Sequence, residues 1–273
     1  MTLRSLARRL RRWIFRVPAT PGDDYYRVSF SQEGEDLLLL SFFDWKKSGF
    51  YVDVGAHHPR KYSNTQALYS RGWSGINIDA MPGSMKPFQE SRPRDVNLEV
   101  AISDAQRVLT FYEFNEPAMS GFDPDTVRIR DGFVPAGVSS DRMFRVVSER
   151  LITTVTLADV LDAHLPAGRE IDFMNVDVEG LDYEVLASND WDKYRPIVVL
   201  AEDPSVVSLD DLASSRMVQF LRDRGYVPLC KTRLTLFFVR QDRLANTPLG
   251  PNLVQVGAPP PVGEQGADFR PTL

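Results

Sequence analysis

The sequence predicts a doubly wound α/β domain, on three observations. Phe50-Tyr51-Val52-Asp53-Val54 is a short, strand-favouring run that ends in Gly55-Ala56-His57-His58-Pro59, the pattern of a buried parallel strand feeding a ligand loop at its carboxyl end. Strand-like and helix-like segments then alternate along the chain, which is the α/β signature. Later strand-like runs end in carboxylates, at Asp79, at Asp177 and at the pair Glu202-Asp203. In an open parallel sheet those ends line one crevice.

A chain of 273 residues with 43% hydrophobic content buries a large core, and the roughly 210 residues left between its two ends suit one domain. Cys230 is the one cysteine, so no intramolecular disulfide forms, and its apolar neighbours mark it as a strand or core residue. No apolar run approaches the roughly 20 residues of a membrane span, and no signal peptide is evident, so the expected location is cytoplasmic. Residues 1–16 carry six arginines and no acid, which leaves the other 257 residues at −11 against a net −5 for the whole. A body this acidic is not a nucleic-acid binder.

In order, residues 1–24 form a basic amphipathic segment and linker. Leu3, Leu6, Leu10, Trp13 and Ile14 fall on one helical stripe, which suits peripheral contact with the inner face of a membrane or packing on the domain or a partner. The domain proper is expected over 25–245. Ser31 reads as the cap of a helix reaching 43, with Glu35 and Asp36 either serving its first turn or facing the cofactor loop. After the first strand come a helix over 63–71 stopped by Gly72, a strand over 73–79, a helix from Pro82, a strand over 96–102 and a strand or hairpin arm over 108–114. Residues 115–150 hold Pro117, Pro124, Pro135 and no sustained period, so they read as a functional insertion that helps form the acceptor site. An edge strand over 151–156, a helix over 157–165, a strand over 171–177, a helix to 188, a strand over 196–200, a helix over 217–224 and an antiparallel pair over 226–229 and 234–240 follow. Residues 246–273, rich in Pro and Gly, read as a disordered tail.

The expected crevice is negative and suits a cationic or hydroxyl-rich ligand better than a phosphate. The loop agrees, because a dinucleotide site needs G-x-G-x-x-G and here Gly55 stands alone before Ala56, His57, His58 and Pro59. Neither a phosphate loop nor a G-x-S-x-G elbow occurs. S-adenosylmethionine fits: it has no phosphate, it carries a sulfonium cation, and a single carboxylate at Asp79 can hold its ribose diol.

Four blocks carry a family resemblance: Ser31-Gln32-Glu33-Gly34-Glu35-Asp36, Tyr51-Val52-Asp53-Val54-Gly55-Ala56-His57-His58-Pro59, Gly75-Ile76-Asn77-Ile78-Asp79-Ala80 and Ile171-Asp172-Phe173-Met174-Asn175-Val176-Asp177-Val178-Glu179-Gly180. Together they resemble the FkbM family of S-adenosylmethionine-dependent methyltransferases. The resemblance implies a class I methyltransferase-like, Rossmann-type fold, with a seven-stranded mostly parallel sheet, one antiparallel strand and helices on both faces. It implies O-methylation, often of sugar hydroxyls in glycans or natural products. It also implies that Asp53 and Gly55 form the cofactor loop, that Asp79 holds the ribose, and that Ala101, Ile102 and Ser103 lie near the adenine; Glu35, Ala56, Ala80 and Asp177 are the further expected cofactor contacts.

A sugar hydroxyl benefits from a base, worth typically ~10²- to 10⁴-fold. The candidates are His57, His58, Asp177 and Glu179; the plainer roles are loop packing for the histidines and helix stabilisation for Glu179. A divalent ion on Asp177, Glu202 or Asp203 is a further option, because hard cations choose carboxylate oxygens. Two rivals stand beside the methyltransferase: a non-catalytic member binding cofactor or a partner in glycan biosynthesis, and an NAD-linked sugar oxidoreductase. If the amphipathic stripe contacts membranes, deleting residues 1–16 abolishes association with anionic liposomes in a flotation assay; unchanged association would end that idea.

Overall fold

The computed structural model describes residues 27–44, 46–134 and 143–244. The amphipathic segment, its linker, the tail from 246 and residues 135–142 of the insertion lie outside the described residues.

The strands are β1 (Phe50–Val54), β2 (Ser74–Asp79), β3 (Val96–Glu99), β4 (Ala101–Ile102), β5 (Val108–Phe114), β6 (Val146–Val155), β7 (Phe173–Val176), β8 (Val198–Glu202), β9 (Tyr226–Lys231) and β10 (Thr235–Arg240). The helices are α1 (Glu35–Phe42), α2 (Gln66–Ser70), α3 (Met85–Ser91), α4 (Pro124–Arg130), α5 (Leu157–His164), α6 (Asp182–Ala187), α7 (Arg216–Arg222) and α8 (Gln241–Leu244). Seven strands form the main sheet in the order β3-β2-β1-β7-β8-β10-β9. The neighbours from β3 to β8 pair in parallel, and β10 runs antiparallel to both β8 and β9. The fold is therefore α/β with one mostly parallel mixed sheet.

Strand alternation sends the two faces of this sheet into different cores. Val52, Val54, Ile76, Ile78, Met174, Val176 and Val199 meet Leu157 and Leu161 of α5, Val185 and Leu186 of α6, and Val218 and Leu221 of α7. Tyr51, Phe173, Val198, Leu200 and Phe237 face the other way, onto Leu39 and Phe42 of α1 and Leu68 of α2. All five residues of β1 are buried. That covering on both sides explains why its sequence is a continuous run rather than an alternation.

Three expectations are corrected. Gly34, not Ser31, caps α1, with φ +92°, although the Ser31 hydroxyl still accepts the Gly34 and Asp36 N–H groups at 3.2 and 3.3 Å. The strand expected over 96–102 breaks at Val100: its N–H donates to the carbonyl of Asp79, and β4 then leaves to pair with β6 in a second, three-stranded sheet β4-β6-β5. β6 begins at Val146, inside the expected insertion, and pairs antiparallel with β5 through Leu109 opposite Ile152 and Phe111 opposite Arg150. Much of β6 is exposed, so its stability comes from backbone pairing and leaves little burial pattern to read. The insertion also contains α4, whose Asp123 cap accepts the Asp125 and Thr126 N–H groups, with Pro124 at the first helical position.

Leu221 is wholly buried between α7 and the sheet. Leu221→Ala is expected to cost about 2–5 kcal/mol, read as a lower urea midpoint at unchanged m-value.

Candidate active site

The site begins where β1 and β7 meet. Gly55, with φ +82°, has no room for a side chain: a Cβ there would lie 1.6 Å from the carbonyl oxygen of Asp177. The Asp177 N–H donates to Val54 at 3.0 Å, and Gly55 and Ala56 donate to the carbonyl of Ile78 at 2.9 and 3.0 Å. The loops after β1, β2 and β7 are thus drawn together around one open cleft, the place where an open parallel sheet takes its ligand.

Asp79 closes β2 and lines the cleft. Its Oδ2 accepts the His57 N–H at 2.8 Å and its Oδ1 accepts the Met81 N–H at 2.8 Å. A carboxylate oxygen takes two such bonds, so each keeps acceptor capacity for a ligand. Burial raises its pKa, against the backbone N–H groups of Met81 and His57, which lower it. Beside it Ala80, Met81, Val100, Ile102, Phe111 and Phe122 make an apolar slot. The Phe111 and Phe122 rings lie 4.9 Å apart.

The adjacent histidines divide their roles. His57 lines the cleft in the left-handed region, with φ +52°, and its Nε2 is buried without a hydrogen-bond partner. Burial lowers its pKa, with Asp79 pulling the other way, so it is neutral around pH 7. His58 Nδ1 accepts the N–H groups of Arg60 and Lys61, each at 3.0 Å, and thereby staples the loop.

The acids gather at the β7 and β8 ends. Carboxylate oxygens of Asp177, Glu179 and Glu202 lie within 4.8 Å of one another. Burial first, and then Glu202, Glu179 and Asp182, hold the pKa of Asp177 well above the usual range. Burial followed by Glu179 and Asp182 raises Glu202 to about 8, and burial raises Asp182 to about 7. Arg130 of α4 forms an ion pair with Glu179, whose own pKa is raised by burial against that pull. Glu179 also has φ +58°, and the following Gly180 would place a Cβ 2.9 Å from that of Asp123, so α4 docks directly on this turn.

Other expected site residues lie elsewhere. Asp53 is buried in a polar network, accepting from Thr65 at 3.0 Å and Asn175 at 2.9 Å. Glu35 accepts from the Glu33 N–H at 2.9 Å and the Thr232 hydroxyl at 2.9 Å, and Gln32 of the same block lines the cleft in its place. Of the adenine group, Ile102 lines the slot, while the hydroxyl of buried Ser103 accepts from Arg107 at 3.2 Å. Asp203 turns away from Glu202 to take the hydroxyls of Ser205 and Ser215. Any cation at this corner would therefore meet Asp177, Glu179 and Glu202.

Sequence reasoning missed Gln32, Tyr62, Phe111 and Phe122. For Tyr62 and the two phenylalanines no local signal exists, because only the folded loops bring them to the cleft. Among the described residues the three non-glycine positions with positive φ are His57, Tyr62 and Glu179, and all three line it. Such conformations cost roughly 1–3 kcal/mol each and concentrate at functional sites.

Residues 53–228 match the model of the methyltransferase FkbM domain. The chain belongs to the FkbM methyltransferase family. No curated protein and no solved structure matches it significantly. The family match begins at Asp53 and takes in Gly55, Asp79, Asp177, Glu179 and Glu202, so the acids of the cleft belong to the FkbM domain. Gln32 and Glu35 precede it.

The raised carboxyl pKa values fix a pH dependence. Folded Asp177, Asp182 and Glu202 bind more protons than their unfolded counterparts above about pH 4 to 4.5, so stability falls as pH rises from there through about 8. Glu202→Gln is expected to flatten that slope and raise the melting temperature at pH 8 relative to the parent, measured by calorimetry across pH 5–8.

Proposed function

We propose that this FkbM-family protein is an S-adenosylmethionine-dependent O-methyltransferase of class I architecture that acts on a hydroxyl, with a saccharide as acceptor, at the cytoplasmic side of the cell. The observation that carries the reading is the donor set of the cleft: Asp79, Asp177 and Glu179 line it, and among the described residues no lysine or arginine does. A pyrophosphate would meet three acids there. A sulfonium and a ribose diol would meet the charges they prefer.

The residues fit the cofactor on observations of this chain. Asp79 retains acceptor capacity on both oxygens for the ribose hydroxyls. The Ala80, Met81, Ile102, Phe111 and Phe122 slot is apolar and suits a purine, and Gly55 keeps the loop thin where the chain passes the β7 end. The cofactor supplies a methyl group activated by positive sulfur. The chain's part is to align an acceptor oxygen with that methyl, to exclude water and to take the hydroxyl proton. Alignment of reacting partners is worth on the order of 7–11 kcal/mol.

For the proton, two groups have suitable character. His57 is neutral and carries a free buried Nε2. Asp177 belongs to a carboxyl cluster that shares protons near neutral pH, while Arg130 opposes the burial that raises Glu179. His58 is occupied as a loop staple, which sets it behind His57 as a base. The segment carrying Pro117, Gly121 and Phe122 forms one wall of the cleft and is the proposed acceptor side.

Titration with S-adenosylhomocysteine by calorimetry is expected to give one site per chain. Asp79→Ala is expected to weaken that affinity by on the order of 100-fold, the loss of two charge-assisted bonds. No binding by the parent protein would sink the reading. Binding without turnover of any glycan acceptor pool would leave the non-catalytic alternative. Loss of turnover on chelation, restored by magnesium, would add a cation at Asp177, Glu179 and Glu202.

A further inference from the structure

Arg92 follows α3 and is wholly buried. Its guanidinium lies between the rings of Phe88 and Tyr69, at 5.1 and 5.4 Å. One terminal nitrogen donates to the carbonyl of Pro59, to the Ser63 hydroxyl at 2.8 Å and to the Gln66 side-chain oxygen at 3.3 Å. The other donates to the Thr65 hydroxyl at 2.6 Å and to the Asn77 side-chain oxygen at 3.4 Å. Among the described residues no carboxylate pairs with it directly. Asp53 and Asp95 stand one residue further out, accepting from Thr65 and Asn77 at 3.0 Å each.

A buried cation with only neutral acceptors is expensive to keep. Four of its five acceptors lie between positions 59 and 66, in the segment that leaves His57 and His58 and contains Tyr62. His57 and Tyr62 hold left-handed backbones, with φ +52° and +57°, and both line the cleft. Non-glycine residues persist in that region where the surroundings over-determine them. The fifth acceptor, Asn77, sits on β2 two positions before Asp79. One planar fork thus ties the strained loop to the strand that carries the acid facing the cleft.

We infer that Arg92 is the positioning residue of this loop: its fork sets the 59–66 segment against β2 and so fixes His57, Tyr62 and Asp79 relative to one another. The inference rests on the reading of the cleft as the S-adenosylmethionine site. Arg92 touches no ligand and acts through the residues it holds. A lysine at this position keeps the charge and loses the fork.

The test uses Arg92→Lys, Arg92→Gln and Arg92→Ala in the full chain. Each is expected to keep the far-ultraviolet dichroism of the parent, to weaken S-adenosylhomocysteine binding roughly 10- to 100-fold, and to speed amide exchange at Lys61, Thr65 and Gln66. Millimolar guanidinium is expected to restore slow exchange and tight binding to Arg92→Ala alone. Leu221→Ala, which unsettles the opposite core, is expected to lower stability while leaving both readouts in place. Folded Arg92 variants with parental exchange and affinity would overturn the inference, as would equal changes in Leu221→Ala. If the Arg92 variants do not fold, Gln66→Ala decides the matter, with faster exchange in the same segment expected. Failure of the parent protein to bind S-adenosylhomocysteine would instead remove the cofactor reading, and the exchange rates would still decide the role of Arg92.

Discussion

The contact between Gly55 and the carbonyl of Asp177 is the constraint on which the site depends. With 1.6 Å between that oxygen and the place a Cβ would take, two backbones pass closer than any side chain allows. The loop after β1 therefore lies against the end of β7, and the acids of β7 and β8 come to the edge of the same cleft as Asp79. A residue larger than glycine would push the loops apart and unfavourably twist a backbone held at φ +82°. The single glycine thus serves close approach between chain segments. In a dinucleotide loop the same residue type serves close approach to phosphate.

Around that contact the molecule balances charge by position. The inner corner carries Asp177, Glu179 and Glu202 at mutual distances within 4.8 Å, a concentration that raises the pKa of each through burial before any pairwise effect. One arginine, Arg130, reaches Glu179 from α4, so the segment between β5 and β6 supplies both a wall of the cleft and its counter-charge. Another, Arg92, is buried outside the cleft and meets only neutral acceptors. The two cations do different work: Arg130 sets the electrostatics of the acids, and Arg92 sets the geometry of the loop. No helix among the described residues is long and apolar enough to cross a membrane.

Much of the fold was legible. The runs at 50–54 and 173–176 are wholly buried and 74–79 is buried at its four central positions, and the short strand-favouring segments Phe50-Tyr51-Val52, Ile76-Asn77-Ile78 and Phe173-Met174 announce them. Gly72 and Gly225 stop helices where expected, and the closing antiparallel pair appears as β9 and β10. β6 starts five residues before the expected 151, because its exposed side chains carry no alternation. α4 has a start signal in Asp123-Pro124, but it is short and buries no residue, so no apolar period marks it.

The sequence by itself determined the strand-end chemistry: Gly55, Asp79, Asp177 and Glu202 each sit where a β-strand stops, and strand ends of a parallel sheet share one edge. Tertiary structure alone decided which neighbours of those residues face the cleft. Gln32 rather than Glu35, His57 rather than His58, and Glu179 rather than Asp203 join it. Which side chain turns inward follows from left-handed backbones, as at His57 and Glu179, and from hydrogen bonds to partners distant in sequence, such as Thr232 for Glu35 and Ser215 for Asp203. The place of Arg92 had no sequence signal, since its five acceptors lie 15 to 33 positions away and meet only when the sheet has formed.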